Sequence, residues 1–179
     1  MKVVIIGIQG AGKSTQGNLL SEKLKCSYLS TGHIFRELAK EKTQMGRYIK
    51  ETITAGLLVP DKKTLVIVTE YLQRPEYDKG FIIDGFPRTC DQAKAFAHEV
   101  DKVIYLKVSD KEALWRLSYR NGEVREDETL LALRKRIELF HEVTEPVLEY
   151  YREKGILVEI NGEGSVEEVN KEILEKLGI

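Results

Sequence analysis

The feature that most restricts the fold of this chain is a glycine-rich turn directly after an apolar run. Residues 7–15 read GIQGAGKST and follow the run VVII at residues 3–6. The string matches the pattern G-x-x-x-x-G-K-[ST], in which a strand ends, a loop turns around an anion and a helix begins. Gly7, Gly10 and Gly12 permit the tight turn and leave backbone amides open to phosphate. The motif predicts an α/β fold and a nucleoside triphosphate site, with a ligand-free glycine turn as the weaker alternative.

Two side chains of this loop are suited to phosphate chemistry. Lys13 can reach the β- and γ-phosphates, and the hydroxyl of Ser14 can ligate Mg²⁺. We therefore expect Mg²⁺ as the cofactor that accompanies the triphosphate.

Length, charge and composition further restrict the class of protein to which this chain can belong. The chain has 179 residues, which suits one domain, and a net charge of −1, which gives no basic excess for nucleic acid. No apolar run approaches 18 residues and the N-terminus leads straight into a strand, so we expect neither a membrane span nor a signal peptide. Cys26 and Cys90 lack metal-ligand spacing. These features predict a cytoplasmic protein without membrane or nucleic-acid partners, and we expect a monomer.

Apolar runs alternate with amphipathic stretches along the chain, which predicts a parallel sheet with helices on both faces. The predicted strands are residues 2–6, 27–29, 80–84, 102–107 and 157–160. The predicted helices are residues 13–25, 61–72, 89–98, 111–119, 128–153 and 166–177. We expect Pro146 to kink the longest helix because it lacks a backbone N–H.

Two segments interrupt this alternation. Residues 31–60 have a helical pattern without a strand, and residues 120–127 form a polar loop with an Asn-Gly turn. We predict one domain over residues 1–179, with a helical insertion at 30–60 and a short loop at 120–127. Its core then comprises residues 1–29, 61–119 and 128–179.

Charged side chains follow two of the predicted strands. Asp84 ends a strand and Arg88 lies just beyond it, at the edge of the sheet where parallel-sheet proteins bind ligands. Asp84 can hold water around Mg²⁺, and Arg88 can grip a phosphate with two N–H groups. The alternative is a capping Asp and a solvated Arg. Arg36 lies one turn into the helical segment after the strand at residues 27–29, where the turn STGH could present amides to a second anion, but a capped helix with a surface Arg is the more common arrangement.

An arginine cluster surrounds the polar loop. It comprises Arg116, Arg120, Arg125 and Arg136. Such clusters are commonly solvated, but beside a triphosphate they would stabilise a phosphoryl group during transfer.

The chain resembles the nucleoside monophosphate kinases, and within them the adenylate kinases. The resemblance is carried, in order, by GIQGAGKST, YLSTGHIFRE, AGLLVP, GFIIDGFPRTCDQA, RLSYR, VREDE, LRKRI and TEPVLEYYREKG. It implies a P-loop NTPase-type five-stranded parallel sheet with a helical insertion that binds the monophosphate and a short lid loop. It also implies phosphoryl transfer from ATP to AMP, giving two ADP.

The resemblance assigns residues to each substrate. It implies that ATP is bound by Gly10, Ala11, Gly12, Lys13, Ser14, Thr15, Arg116, Arg120 and Gly164. It implies that AMP is bound by Thr31, Arg36, Leu57, Leu58, Val59, Gly85, Arg88, Gln92, Arg125 and Arg136. The implied catalytic residues are Lys13, Arg88, Arg120, Arg125 and Arg136, and the implied metal residues are Ser14 and Asp84, acting mostly through water.

Three departures from the family pattern stand out. Ser14 replaces the usual glycine of Gly-Lys-Gly-Thr, and His33 replaces the aspartate of the STGD string, which puts one contact to metal-bound water in doubt. The loop at residues 121–126 is the short form, so no four-cysteine zinc site is expected.

Three other functions remain alternatives at this point. A kinase that prefers UMP or CMP shares the short lid, although Thr31 and Gln92 favour AMP. An ATPase in RNA processing could use the same scaffold. A guanine-nucleotide switch is disfavoured because residues 170–173 read NKEI, without the Asp of N-K-x-D.

Overall fold

The computed structural model describes residues 1–119 and 129–179. The predictions for Arg120, Arg125 and the loop at 120–127 therefore fall wholly outside the described residues. Within the described ranges the strands form one sheet in the order β2-β3-β1-β4-β5, and every pairing is parallel. The strands are β1 (Lys2–Ile6), β2 (Ser27–Ser30), β3 (Phe81–Asp84), β4 (Lys102–Lys107) and β5 (Leu157–Asn161). The predicted five-stranded parallel α/β fold is confirmed.

The central strands are buried on both faces, as a continuous run of branched apolar residues predicts. Ile82 and Ile83 are adjacent on β3 and belong to two different apolar clusters. Successive side chains of a strand point to opposite faces, so the two clusters lie on opposite sides of the sheet. Helices cover both of them.

The helices occupy the segments between the strands. In the described ranges they are α1 (Lys13–Leu24), α2 (Thr31–Lys40), α3 (Gln44–Thr54), α4 (Asp61–Leu72), α5 (Cys90–Ala95), α6 (Asp110–Ser118), α7 (Leu130–Leu139), α8 (Glu145–Glu153) and α9 (Val166–Leu177). A short 3₁₀ turn spans Pro75–Tyr77 and a π turn spans Phe140–Thr144. No helix in the described part of the chain is long and apolar enough to cross a membrane.

The predicted helix over residues 128–153 is helical without a break from Leu130 to Glu153, but it changes type on the way. A π-helical turn at Phe140–Thr144 joins α7 to α8, and the N–H of Glu145 donates to the carbonyl of Phe140, five residues earlier. Pro146 lies in the first turn of α8 and has no N–H to donate, so the distortion expected from the proline lies directly before it.

The carboxyl ends of the strands bring the polar motifs to one edge of the sheet. The turn after β1 leads into α1, Asp84 ends β3, and Ser30 ends β2. The neighbouring segment at residues 31–60 contains α2 and α3 without a strand.

Candidate active site

A cavity of about 630 Å³ lies along this edge of the sheet. Nearly all of the predicted site residues that the structure describes line it. They are Gly10, Ala11, Gly12, Lys13, Ser14, Thr15, Arg36, Leu57, Leu58, Val59, Asp84, Gly85, Arg88, Gln92, Arg116, Arg136 and Gly164. The fold thus brings residues that are far apart in sequence to one cavity.

The turn after β1 has the conformation that an anion-binding loop requires. Gly10 and Gly12 have φ angles of 93° and 87°, a region that favours glycine. A Cβ atom at Gly10 would lie 2.5 Å from the carbonyl oxygen of Ala113, so a larger residue would collide with α6. Gly12 precedes α1 without a capping side chain, which leaves the helix N-terminus available to phosphate. The Nζ of Lys13 donates to the carbonyl of Ile8 at 3.0 Å.

Asp84 lines the cavity beside this loop. Its Oδ2 accepts hydrogen bonds from Ser14 Oγ at 3.2 Å and from the Tyr28 hydroxyl at 2.9 Å. Burial raises the pKa of Tyr28, and the negative charge of Asp84 raises it further, so the phenol stays a hydrogen-bond donor. Both donors use the same oxygen of Asp84, and the carboxylate retains acceptor capacity at Oδ1.

Three guanidinium groups converge on the cavity. Desolvation lowers the pKa of Arg88, and the positive charges of Arg136 and Arg36 lower it further, while Asp84 acts in the opposite direction. Arg88 is held in place because its Nε donates to the carbonyl of Gly85 at 2.9 Å. Cations that are brought together at the cost of mutual repulsion are suited to a polyanionic ligand.

Arg136 connects three parts of the site. Its Nη1 donates to Gln9 Oε1 at 2.9 Å and its Nη2 donates to the carbonyl of Ile53 at 2.8 Å. Gln9 belongs to the loop after β1, Ile53 belongs to α3, and Arg136 itself is on α7. The planar fork of arginine makes both contacts at once.

Arg116 is fixed at another edge of the cavity. Its Nε donates to Glu112 Oε1 at 2.6 Å, and its Nη1 donates to the carbonyl of Gly162 at 2.8 Å. Gly164 also lines the cavity, two residues after Gly162 in the chain. A guanidinium held in this way offers a flat surface on which an aromatic base can stack.

Gln92 lies at the opposite side, where α4 and α5 meet. Its side chain is only 2% exposed and lines the cavity. The Oε1 accepts from the backbone N–H of Arg88 at 2.7 Å, and the Nε2 donates to Asp61 Oδ1 at 2.8 Å. The amide is thus held at both ends.

Comparison with known proteins decides the family. A family profile described as adenylate kinase matches residues 5–156. The chain belongs to the adenylate kinase family. It is therefore a phosphotransferase, and the resemblance carried by its motifs is confirmed.

Adenylate kinases from several organisms are similar to this chain over its whole length. The adenylate kinase of Azobacteroides pseudotrichonymphae is 41% identical over 186 residues, covering 99% of this chain and 97% of its own. That of Caldicellulosiruptor bescii is 35% identical over 214 residues and both chains are covered completely. That of Archaeoglobus fulgidus is 36% identical over 215 residues, with 99% of each chain covered. The two longer alignments exceed the 179 residues of this chain, so those two adenylate kinases contain segments that it lacks.

Two residues of the adenylate kinase motifs, Thr31 and His33, are not among the residues that line the cavity. Thr31 is 1% exposed, and its hydroxyl donates to the carbonyl of Asp84 at 3.2 Å. His33 is exposed in the first turn of α2, where its backbone N–H donates to Ser30 Oγ at 3.4 Å. Ser30 is thus the residue that caps α2.

Sequence reasoning missed several residues that support the adenylate kinase site. Tyr28 binds Asp84, Asp61 binds Gln92, Glu112 binds Arg116 and Gln9 binds Arg136. Only Tyr28 left a signal in the sequence, which is the glycine at position 17 inside α1. A Cβ atom there would lie 2.4 Å from Cε2 of Tyr28.

Proposed function

We propose that this cavity is the site of reversible phosphoryl transfer between ATP and AMP, which produces two molecules of ADP. The observation that carries the proposal is the composition of one cavity. The glycine-rich loop after β1 lines it, three arginines converge on it, and the buried amide of Gln92 lines it where α4 and α5 meet. Both substrates are polyanions, so the first task of the protein is to offset their mutual repulsion and align them.

The triphosphate is proposed to occupy the side formed by the loop after β1. Backbone amides of residues 10–15 and the Nζ of Lys13 contact its phosphates, and Arg116 packs against its adenine near Gly164. The open N-terminus of α1 and the fixed guanidinium of Arg116 support this placement. Lys13 then exchanges its bond to Ile8 for one to phosphate.

The monophosphate is proposed to occupy the side formed by α2, α4 and α5. Arg36 and Arg88 bind its phosphate, and Gln92 binds its base beside the backbone of Leu57, Leu58 and Val59. Thr31 and Gly85 also belong to this proposed side, where Thr31 acts through its bond to Asp84. No general base is required because the attacking phosphate oxygen is already anionic.

Mg²⁺ fits the oxygen groups at the loop. The Ser14 hydroxyl and the Asp84 carboxylate are hard oxygen ligands 3.2 Å apart, and Mg²⁺ prefers such ligands and retains several waters. Bound there, the ion would offset charge on the phosphates of ATP. Within residues 1–119 and 129–179, no group of three or more His, Cys, Asp and Glu side chains is arranged to hold a metal ion.

The transferring phosphoryl group is proposed to lie among Lys13, Arg88, Arg120, Arg125 and Arg136. Arg120 and Arg125 are assigned from the family motif alone, since they fall outside the described residues. We propose that the loop at 120–127 and the insertion at 30–60 close over the substrates and exclude water, which would otherwise accept the phosphoryl group.

The remaining expectations concern the cellular context. We propose a cytoplasmic monomer that acts on free nucleotides, with no nucleic-acid or membrane partner. The near-neutral net charge and the two free cysteines support this proposal.

A panel of monophosphates tests the proposed reaction. The protein is incubated with Mg·ATP and each of AMP, GMP, UMP and CMP, and the products are separated by chromatography. We expect AMP to react fastest, with two ADP formed for each ATP consumed. Faster reaction with UMP or CMP would establish the pyrimidine kinase alternative, and phosphate release without a monophosphate would establish the ATPase alternative.

A further inference from the structure

The amide of Gln92 is held in one orientation by two unlike partners. Its Oε1 accepts from the backbone N–H of Arg88 at 2.7 Å, and its Nε2 donates to the Asp61 carboxylate at 2.8 Å. A half-turn of the amide would place N–H against N–H at Arg88 and oxygen against carboxylate at Asp61. Both new contacts would be repulsive, so the carboxylate and the backbone together exclude the turned state.

Asp61 is itself fixed in place. It begins α4, and its Oδ2 accepts from the hydroxyl of Thr89 at 2.9 Å. The same hydroxyl accepts from the backbone N–H of Gln92 at 3.1 Å. Asp61, Thr89 and Gln92 therefore form a closed ring of hydrogen bonds between α4 and α5.

The orientation matters because the amide retains binding capacity toward the cavity that it lines. An amide nitrogen carries two hydrogens and an amide oxygen has two lone pairs, so one of each remains after the contacts with Asp61 and Arg88. Adenine presents an amino donor at position 6 beside a ring-nitrogen acceptor. Hypoxanthine presents a carbonyl acceptor at position 6 instead. The orientation of the amide thus decides which purine it matches. Oε1 can accept a hydrogen bond from the amino group of adenine but not from the carbonyl of hypoxanthine.

We propose that Asp61 is a positioning residue that selects a 6-amino purine over a 6-oxo purine by fixing the orientation of the Gln92 amide. The proposal rests on the proposed function, in which Gln92 binds the base of the monophosphate. Asp61 acts only through Gln92 and Thr89 and does not itself touch the nucleotide.

The test is the Asp61→Asn variant with AMP and inosine monophosphate (IMP) as competing acceptors at saturating Mg·ATP. An asparagine can offer Gln92 either its oxygen or its amino group, so position 61 no longer opposes the turned amide and only the backbone N–H of Arg88 still disfavours it. We expect the ratio of kcat/KM for AMP to that for IMP to fall about tenfold or more, the scale of one hydrogen bond to a charged group. We expect the KM for AMP to rise and the KM for ATP to stay unchanged.

The matched control is Asp91→Asn. Asp91 lies in the first turn of α5, is exposed, and loses the same charge at a helix N-terminus. We expect this variant to keep the AMP-to-IMP ratio of the wild type. If Asp61→Asn does not fold, Asp61→Ser removes the same carboxylate and leaves a hydroxyl that can donate or accept, and the same fall is expected.

A Gln92→Ala variant separates the proposed role of Gln92 in binding the base from the proposed role of Asp61 in orienting Gln92. An unchanged KM for AMP in this variant would overturn the role of Gln92, and the role of Asp61 with it. A raised KM for AMP in Gln92→Ala together with an unchanged ratio in Asp61→Asn would overturn only the role of Asp61, as would equal losses with AMP and IMP. In the Gln92→Ala background, Asp61→Asn should not change the ratio further, and a further change would contradict action through Gln92.

Discussion

At the scale of single residues, Lys13 carries the most direct test of the triphosphate site. Lys13→Ala should lower kcat/KM on the order of 10²-fold or more, because charge that develops on the phosphates loses a positioned cation. The fold should persist, since the bond from Lys13 to the Ile8 carbonyl lies within the loop and joins no separate elements. Steady-state kinetics with circular dichroism checks both expectations. Activity close to that of the wild type would show that Lys13 is not part of the site.

Arg136 makes a second prediction at this scale. Its fork reaches Gln9 and Ile53 at once, which a lysine cannot do. Arg136→Lys should lower kcat on the order of 10²-fold with a smaller change in KM, if the guanidinium acts in the transition state. Arg134→Lys is the matched control, since Arg134 is an exposed residue of the same helix outside the cavity lining. A change in KM alone would show that Arg136 contributes to substrate binding in the ground state and not to the transition state.

At the scale of elements, the contact between α1 and β2 depends on Gly17. Alanine inside a helix normally stabilises it by about 1 kcal/mol relative to glycine. At position 17 the methyl group would collide with the ring of Tyr28, whose hydroxyl is bonded to Asp84. Gly17→Ala should therefore destabilise the protein by about 1 kcal/mol or more, because overpacking outweighs the gain in helix propensity.

Thermal melts of four proteins test this sign change. The set comprises the wild type, Gly17→Ala, Tyr28→Ala and the double variant. In the Tyr28→Ala background the ring is gone, so Gly17→Ala should raise the Tm instead of lowering it. If Gly17→Ala lowered the Tm in both backgrounds, the methyl group would collide with something other than the Tyr28 ring.

A histidine connects α6 to α8 in a pH-dependent way. His141 lies 2.9 Å from Asp110 and 3.0 Å from Glu145, and the hydrogen bond to Asp110 is the main cause that raises its pKa. A raised pKa in the folded state means that the stabilisation is fully present below the unfolded pKa of about 6.5 and is lost as the pH rises through the folded value.

Comparing His141→Gln with the wild type at pH 5.5 and pH 8.5 tests this connection. The wild type should melt higher at pH 5.5, by no more than about 3 °C because the group is partly exposed, and the difference should shrink at pH 8.5. If the Tm difference between the wild type and His141→Gln grew with pH, this would contradict a charged His141 paired with Asp110 and Glu145.

Some element bounds were predictable because the local signals agree with the tertiary structure. The bounds of β1, β4, α4 and α9 match the predicted ones, since each has a clear apolar pattern and a clear start. Helix α5 ends at Ala95 rather than at residue 98 because Phe96 leaves the helix and packs edge-on against Phe86, with ring centroids 5.0 Å apart. A single contact between Phe86 and Phe96, on either side of α5, leaves no periodic signal in the sequence.

At the scale of the whole molecule, the motifs identified the groups that would meet substrates but not the groups that hold them. Lys13, Asp84 and Arg88 follow strands in recognisable strings, so their convergence at one edge was predictable. The partners Asp61, Glu112 and Gln9 have ordinary local roles, at a helix start, on a helix face and in a loop. Their importance arises from distances across the fold, which local patterns do not encode.

In the proposed reaction, one cavity transfers a phosphoryl group between two adenine nucleotides. Phosphorus-31 NMR of the protein with Mg·ADP as the sole nucleotide tests it most directly, because the reverse reaction needs no other substrate. We predict that ATP and AMP appear in equal amounts, without inorganic phosphate, and that Lys13→Ala slows their appearance. An unchanged ADP signal, or inorganic phosphate in place of ATP, would contradict the proposed reaction.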